Sequence, residues 1–334
     1  MRLRTGLLLA AILLALLAAV AGFWLQRVFS PLAAEAPEVV FEISPGESLS
    51  GIARRLEADR LVRRALAVEA LARWRKLEGD LQSGEFALSA ALTPGEIVER
   101  IATGKVLTYE VVVPEGFTAA QIGARLAASG LIEAEAFEAL VRSTAAAEAL
   151  GVEGDGLEGY LFPETYRIPR GLPPLEVARS LVDQFHAVWA EIAPAAKAQN
   201  LSMREVVTLA SIIEKETGAP EERPLIASVF RNRLNREMRL ESDPTVIYGI
   251  PDFDGNLRRR DLENPDNTYN TYQIRGLPPG PIASPGAESL RATVEPAESE
   301  FLFFVSRNNG THVFSRSYRE HVNAVNRYQK NESR

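Results

Sequence analysis

Two glutamates, Glu214 and Glu216, bracket Lys215 at the end of an otherwise apolar run, Val206–Thr217 (VVTLASIIEKET), and no other segment offers acid–base chemistry so plainly. At 100° per residue on a helix, Lys215 points away from the apolar stripe and the glutamates flank it on opposite sides. Periodicity therefore leaves open which glutamate is the more buried. A carboxyl group held against apolar neighbours has its charged form disfavoured, which raises its pKa and suits a general acid near neutral pH. The plain alternative is an exposed Glu-Lys-Glu helix end.

Carboxylates must carry any such chemistry because the other reactive residue types are scarce. Cysteine is absent, which excludes disulfides, thiolate nucleophiles and Cys-ligated zinc. The three histidines (His186, His312, His321) are scattered, which argues against a His-rich metal site or a His-driven triad. There is no GxxxxGK[ST] phosphate loop, GxSxG elbow, SxxK pair or HExxH. Lys plus Arg is 37 against 44 for Asp plus Glu, a net charge of −7. That balance argues against a nucleic-acid binder that works by neutralising phosphates.

The elements that must position these carboxylates can be read along the 334 residues, a length that suggests about two domains. Between Arg4 and Arg27 lie 22 residues without a charge. As a helix they span about 33 Å, enough for a hydrocarbon core of about 30 Å. Trp24 sits near the outer end, Arg2 and Arg4 precede the span, and Glu35, Glu38 and Glu42 follow it. The positive-inside bias places residues 1–4 in the cytoplasm, a transmembrane helix over 5–26 and the rest outside. A signal peptide is the rival reading, with Ala19-Val20-Ala21 as a small-x-small cleavage pattern. Both readings export the remainder of the chain.

Residues 27–38, rich in Pro and Ala, read as a linker. Val39–Ile43 alternates like a strand and leads through Pro45-Gly46 to Ser48, a helix cap, with Leu49, Ile52, Ala53 and Leu56 at helical spacing. The pattern returns seventy residues later. Tyr109–Val113 reads as a strand, and Gly116, Thr118, Ile122, Leu126 and Leu131 align with Gly46, Ser48, Ile52, Leu56 and Leu61. Gly84–Leu88 reads as a strand, and Thr93-Pro94-Gly95-Glu96 as a capped helix start. Leu175, Ala178, Leu181, Val182, Phe185, Trp189 and Ile192 form one helical stripe, beside which His186 reads as structural. Residues 235–285 turn to Asp, Asn, Tyr, Gly and Pro, the texture of a loop-built binding surface. Glu300–Ser306 and Thr311–Ser315 suggest a hairpin across Asn309-Gly310, and Tyr318–Gln329 a last helix. The predicted fold class is α+β.

Several ordered blocks resemble the endolytic murein transglycosylase family, also called YceG-like. They are LEGYLFPETY, LASIIEKETG, ASVFRNRL, MRLESDPTVIYG, YNTYQIRGLPPGPIASPG and GTHVFSRSYREH. The similarity runs from about Val39 to Tyr328 and is strongest over 156–328. One departure is Ser284, where the family usually has Asn, which puts a role for that side chain in doubt. The resemblance implies a LysM-like subdomain at 39–105, of a kind that binds N-acetylglucosamine chains, and a catalytic domain at 106–330.

The implied reaction cleaves the β-1,4 bond between N-acetylmuramic acid and N-acetylglucosamine inside nascent peptidoglycan strands. It uses no water, cofactor or metal, leaves a 1,6-anhydromuramic end, and would terminate glycan elongation. The implied catalyst is Glu214, which protonates the glycosidic oxygen and then takes the proton of the attacking C6 hydroxyl. Tyr160 and Glu164, Asp243 and Thr245, and Asn270 and Tyr272 suit sugar hydroxyls and acetamido groups, with loop bonding or core packing as the plain alternative for each. Arg231 and Arg233 are candidates for stem-peptide carboxylates. The resemblance also suggests coupling to penicillin-binding proteins and the elongation machinery at the cytoplasmic membrane. Two other readings remain: a hydrolase in which Asp243 or Glu164 positions water, and a non-enzymatic wall-binding scaffold.

Overall fold

Leucine and alanine, both strong helix formers, fill the first thirty residues and build one helix, α1 (Arg2–Phe29). This computed structural model describes residues 2–330, so Met1 of the expected cytoplasmic start lies outside the described residues. The side chains from Ala11 to Arg27 are exposed. The 19-residue stretch Ala11–Phe29 has a mean hydropathy of 2.0, long and apolar enough to cross a membrane.

The segment predicted as a linker, 27–38, is more structured than its composition suggests. α1 continues through Phe29, and Val28 is buried. The Leu32 and Ala33 N–H groups donate to the Ala90 carbonyl at 2.9 and 3.0 Å. Arg63 Nη2 donates to the Pro31 and Leu32 carbonyls, and Ser89 Oγ to the Ala36 carbonyl. Backbone groups that composition leaves unassigned thus find partners, as segments packed against a folded body must.

The chain forms two compact units. The first ends at Tyr109 and takes in Pro169–Gly171. In it β1 (Val39–Ile43) pairs antiparallel with β2 (Gly84–Leu88), which puts Phe41 opposite Phe86. Between the strands come α2 (Leu49–Ala58) and α3 (Ala65–Trp74), and after them α4 (Pro94–Ala102). Ser48 Oγ caps α2 by accepting from Gly51 N. Thr93 and Glu96 form a capping box on α4, with Pro94 in its first turn. Ile52, Leu56, Phe86, Leu88, Ile97 and Ile101 are almost fully buried at the centre of this unit.

The second unit holds Glu110–Ile168 and the chain from Leu172 onward. It repeats the opening move of the first. β3 (Tyr109–Val112) leads through Gly116, at φ +73°, to the Thr118–Gln121 capping box of α5 (Ala119–Ala128). The first turn uses Gly46 at φ +78° in the same way, and both sites favour glycine because an added Cβ is strained there. After α6 (Ala134–Val141) and α7 (Thr144–Ala149), β4 (Thr165–Ile168) pairs with β3.

α8 (Pro174–Ala198) buries Val177, Ala178, Leu181, Val182, Phe185, Ile192 and Ala196. Leu175 and Trp189, placed on that stripe by periodicity, are only half-buried. His186 is structural in its bonding, with Nε2 2.8 Å from the Leu150 carbonyl.

α9 (Met203–Glu216) starts at a Ser202–Glu205 capping box, and every residue from Val206 to Ile213 is buried. A helix apolar on all sides must lie inside the protein. α10 (Arg223–Asn235) and α13 (Ala287–Val294) pack on it, and the short α11 (Asp243–Tyr248) and α12 (Arg259–Leu262) are carried on the loops between. β5 (Phe303–Ser306) and β6 (His312–Ser315) make an antiparallel hairpin across Asn309-Gly310, followed by α14 (Tyr318–Val325). The fold class is α+β, with two-stranded sheets among many helices.

Phe86 fills the centre of the first unit's core. Phe86→Ala should cost about 3–5 kcal/mol, read as a lower denaturant midpoint by circular dichroism, and a loss under about 1 kcal/mol would mean that this core is not packed as described.

Candidate active site

α9 brings Glu214 out of the core at its last turn. The Glu214 side chain is only 8% exposed, yet its surroundings are polar. Its Oε2 accepts from Ser289 Oγ at 2.6 Å and from the Gly286 N–H at 3.1 Å. Both donors come from the start of α13, whose positive end therefore faces a carboxylate. Its Oε1 lies 3.5 Å from Arg223 Nη2, and Arg223 is itself buried at the start of α10.

A second carboxylate shares that arginine. Glu115 Oε2 is 3.8 Å from the same Arg223 Nη2. Burial, then the negative charge of Glu214, push the Glu115 carboxyl above the usual range, and Arg223 opposes them. Glu115 rests against Gly286, where an added Cβ would overlap its carboxyl oxygen. Lys215 points outward as its helical angle requires, and its Nζ donates to the Gly116 carbonyl at 3.2 Å. Gly116 N donates to the Ser284 carbonyl, and Ser284 N to the Phe117 carbonyl, at 2.9 and 2.8 Å. The Pro114–Thr118 turn is thereby fastened alongside Glu214. The Ser284 hydroxyl itself is fully buried with no hydrogen-bond partner, so only its backbone joins this network.

Glu216, on the other flank of α9, lies in different surroundings. Its Oε1 accepts from Ser242 Oγ at 2.6 Å. Burial pushes its carboxyl up to about 7, reinforced by the negative charge of Asp243 and opposed by the Ser242 bond and by Arg233. The strongly desolvated acid expected of the apolar run is therefore Glu216. Glu214 is held by hydrogen bonds and a cation instead of by apolar neighbours.

The residues singled out for sugar contacts fall into separate places. Tyr160 is a core residue, 1% exposed, packed edge-on against Phe185, with its hydroxyl donating to the Glu153 carbonyl. Thr245 is fully buried and bonded to the Ser242 carbonyl and the Thr271 hydroxyl. Asn270 is fully buried too, with its amide donating to the carbonyls of Asp261, Leu262 and Asn264. All three hold the loops together. Glu164 is exposed and accepts from the next residue's N–H. Asp243 is exposed and Tyr272 half-buried, and the two meet where the Tyr272 hydroxyl donates to Asp243 Oδ1 at 2.7 Å. They stand with Glu216, whose partner Ser242 is also bonded by Thr245. Arg231 and Arg233 are spent internally: Arg231 on Gln199 and the Thr293 carbonyl, Arg233 on the Leu302 and Leu240 carbonyls.

Sequence reasoning missed Glu115, Arg223, Gly286 and Ser289 as partners of Glu214. Glu115 and Gly286 lay in plain view beside the repeated Gly116 turn and in the SPG block, yet nothing local ties either to position 214. Their link is tertiary.

Residues 41–327 match the model of the YceG-like family. The chain belongs to this family. It is 29% identical to an endolytic murein transglycosylase of Bacillus subtilis over 306 residues, covering 87% of this chain and 84% of that protein. It is 30% identical to one of Streptococcus pneumoniae, covering 94% of this chain and 64% of the relative, so it spans a little under two thirds of that longer protein. The crystal structure of a YceG-like protein from Listeria monocytogenes superposes with a TM-score of 0.59 at 30% identity, covering 86% of this chain and 98% of that one.

Two predictions follow from the acids of this YceG-like chain. Glu216 and Glu158 both have carboxyls raised to about 7 by burial, against 4.5 when unfolded. The folded chain keeps these protons up to about pH 7 and the unfolded chain loses them near 4.5. Above 7 the fold therefore bears two buried charges, and that penalty is relieved as pH falls from 7 toward 4.5. Each shift is worth on the order of 3 kcal/mol, so thermal stability should rise between about pH 8 and pH 5. Glu216→Gln should remove roughly half of that rise, and a native midpoint that falls steadily as the pH is lowered over this window would contradict the burial described. The second concerns Gly286. Gly286→Ala must push Glu115 aside, so it should cut activity about tenfold or more while far-ultraviolet dichroism stays native. Unchanged activity would show that Glu115 need not sit where it does.

Proposed function

We propose that this chain is an endolytic peptidoglycan lytic transglycosylase with Glu214 as its proton shuttle. The observation that carries the reading is the Glu214 carboxylate, nearly buried yet held by Ser289, Gly286 and Arg223, in a family whose curated relatives in Bacillus subtilis and Streptococcus pneumoniae are named endolytic murein transglycosylases. Two donors fix Oε2, which leaves Oε1 as the atom that carries the transferred proton. In the first half-step that proton passes to the bridging oxygen of a muramic acid–glucosamine bond as the bond from the anomeric carbon breaks. The carboxylate left behind lies 3.5 Å from Arg223, which offsets the charge. In the second half-step the carboxylate takes the proton of the muramic C6 hydroxyl, whose oxygen bonds to the anomeric carbon. One bond breaks, one forms, and the enzyme ends with its proton restored. No second carboxylate acts as nucleophile, unlike hydrolysis by paired acids.

The rest of the molecule supports delivery to such a substrate. α1 serves as a single-pass anchor with Arg2 and Arg4 inside and both compact units outside. The strand–turn–helix opening of the first unit is LysM-like and contributes to placement on glycan. Cleavage within nascent strands would terminate their elongation beside the penicillin-binding proteins that extend them.

Glu214→Gln keeps size and shape but cannot donate and then accept a proton. General acid–base assistance is worth about 10²–10⁴-fold, so anhydro-product formation from purified glycan strands, read by mass spectrometry, should fall to background. Glu216→Gln should cost far less. Retention of a tenth or more of native product by Glu214→Gln would overturn the assignment, and reducing ends in place of anhydro ends would make the enzyme a hydrolase.

A further inference from the structure

One buried acid takes no part in the chemistry above. Glu158, from the LEGYLFPETY block, reaches the start of α5, where the Ala119 N–H lies 3.0 Å from Oε1 and 3.2 Å from Oε2. The Tyr248 hydroxyl, at the end of α11, donates to Oε2 at 3.1 Å. The Gly159 N–H adds a third donor. All these partners are neutral. The other titratable groups facing this spot are Glu138 of α6 and Arg142 just past its end, which pair with each other at 2.7 Å, and Tyr269, whose ring packs on Tyr248 at 4.8 Å. A cavity of about 430 Å³ between Thr118, Val141, Ile247 and Tyr248 borders Glu158.

The segment that Glu158 holds is the one that serves Glu214. Ala119 directly follows the Pro114–Thr118 turn. On its other side that turn is fastened through Gly116 and Phe117 to Ser284, and through the Gly116 carbonyl to Lys215. It also carries Glu115, which shares Arg223 with Glu214. One short turn is thus pinned at its far end by Glu158 and faces the candidate catalyst at its near end.

We propose that Glu158 is a positioning residue that keeps the 114–119 turn, and with it Glu115, seated against Glu214, and that the seated arrangement is favoured less once its enclosed carboxyl is ionised. The role in activity rests on the reading of Glu214 above. The direction follows from linkage. While the turn is seated, burial keeps the Glu158 carboxyl raised to about 7, and unseating the turn lets water in and returns it toward 4.5. The seated state binds the proton more tightly, so acid favours seating and the preference weakens as pH rises through about 7. A full swing between those values limits the effect to on the order of 10²-fold in the seated-to-open ratio.

The test is amide hydrogen exchange on the full chain in detergent, following peptides that span 114–119 and correcting for the intrinsic pH dependence of exchange. Protection in the native protein should fall tenfold or more between about pH 5.5 and pH 8.5. In Glu158→Gln, which stays neutral, it should be the same at both. No pH dependence in the native protein, or the same dependence in Glu158→Gln, overturns the proposal. Should Glu158→Gln fail to fold, Tyr248→Phe removes one donor to the carboxylate and should move the native midpoint to higher pH, and an unmoved midpoint overturns the proposal equally. With glycan strands, kcat of the native enzyme should drop above about pH 7 with KM unchanged, and Glu158→Gln should lose that drop; a role in stability alone would shift the melting temperature and leave the pH profile in place. Exchange needs no substrate, so a native chain that forms no anhydro product would defeat the Glu214 reading while the exchange result still decides this one.

Discussion

The packing of α9 between α10 and α13 fixes everything that matters at the candidate site. Eight consecutive buried residues, Val206–Ile213, give the helix no freedom to rotate or slide, because any such move exposes apolar surface and opens a void. The donors to Glu214 sit at the start of α13, which packs directly on α9. Helix packing and hydrogen-bond register are therefore one constraint. A slip of one residue along α9 moves a side chain by about 1.5 Å and turns it by 100°, which would carry Glu214 away from Ser289 and Gly286 altogether. Chemistry that needs a proton placed within a fraction of an ångström calls for support of this kind.

The same constraint sorts the glutamates by environment. Glu214 and Glu216 are two residues apart, so they leave opposite flanks of one helix and meet different neighbours. Glu214 meets a buried guanidinium and the positive end of α13, whereas Glu216 meets a serine hydroxyl with the exposed Asp243 beyond it. Glu158 meets only neutral donors. Where a buried carboxyl has no cation in contact, the protein leaves desolvation uncompensated and the proton is retained to higher pH. Where a second carboxylate intrudes, as Glu115 does on Glu214, one arginine serves both.

Much of the architecture was legible in the sequence because it is set by local rules. The β2 strand spans the predicted Gly84–Leu88, the Thr93–Glu96 capping box closes as its spacing requires, and the closing hairpin turns at Asn309-Gly310. Elements defined by capping and period need only a few neighbouring residues, so a single chain displays them. The outward direction of Lys215 was legible for the same reason. The surroundings of Glu214 were not. Tyr160, Thr245 and Asn270 look like sugar ligands by type, but types do not report burial, and each is enclosed by loops that could be seen only once folded. The linker at 27–38 misled in the opposite sense: its Pro and Ala content suggested freedom, while bonds to Arg63, Ser89 and Ala90 hold it. Arg223 and Ser289 were invisible as partners because 9 and 75 residues of chain separate them from Glu214, and only packing closes those gaps.

The repeated strand–turn–helix unit meets different surroundings in its two copies. Both copies use a glycine at positive φ and a capped helix, and in the first copy this arrangement closes a small core. In the second, the turn lies against α9: Glu115, the residue before the glycine, faces Arg223, while the Gly116 carbonyl accepts from the Lys215 ammonium. Ala119, the first residue of the capped helix, is in turn one of the donors to Glu158. The turn is tied on both sides, through Gly116 and Phe117 to Ser284 and through the Ala119 N–H to Glu158. Those bonds satisfy backbone groups that an untethered loop would leave to water, and they set Glu115 and the Ala119 N–H at fixed places on one short segment.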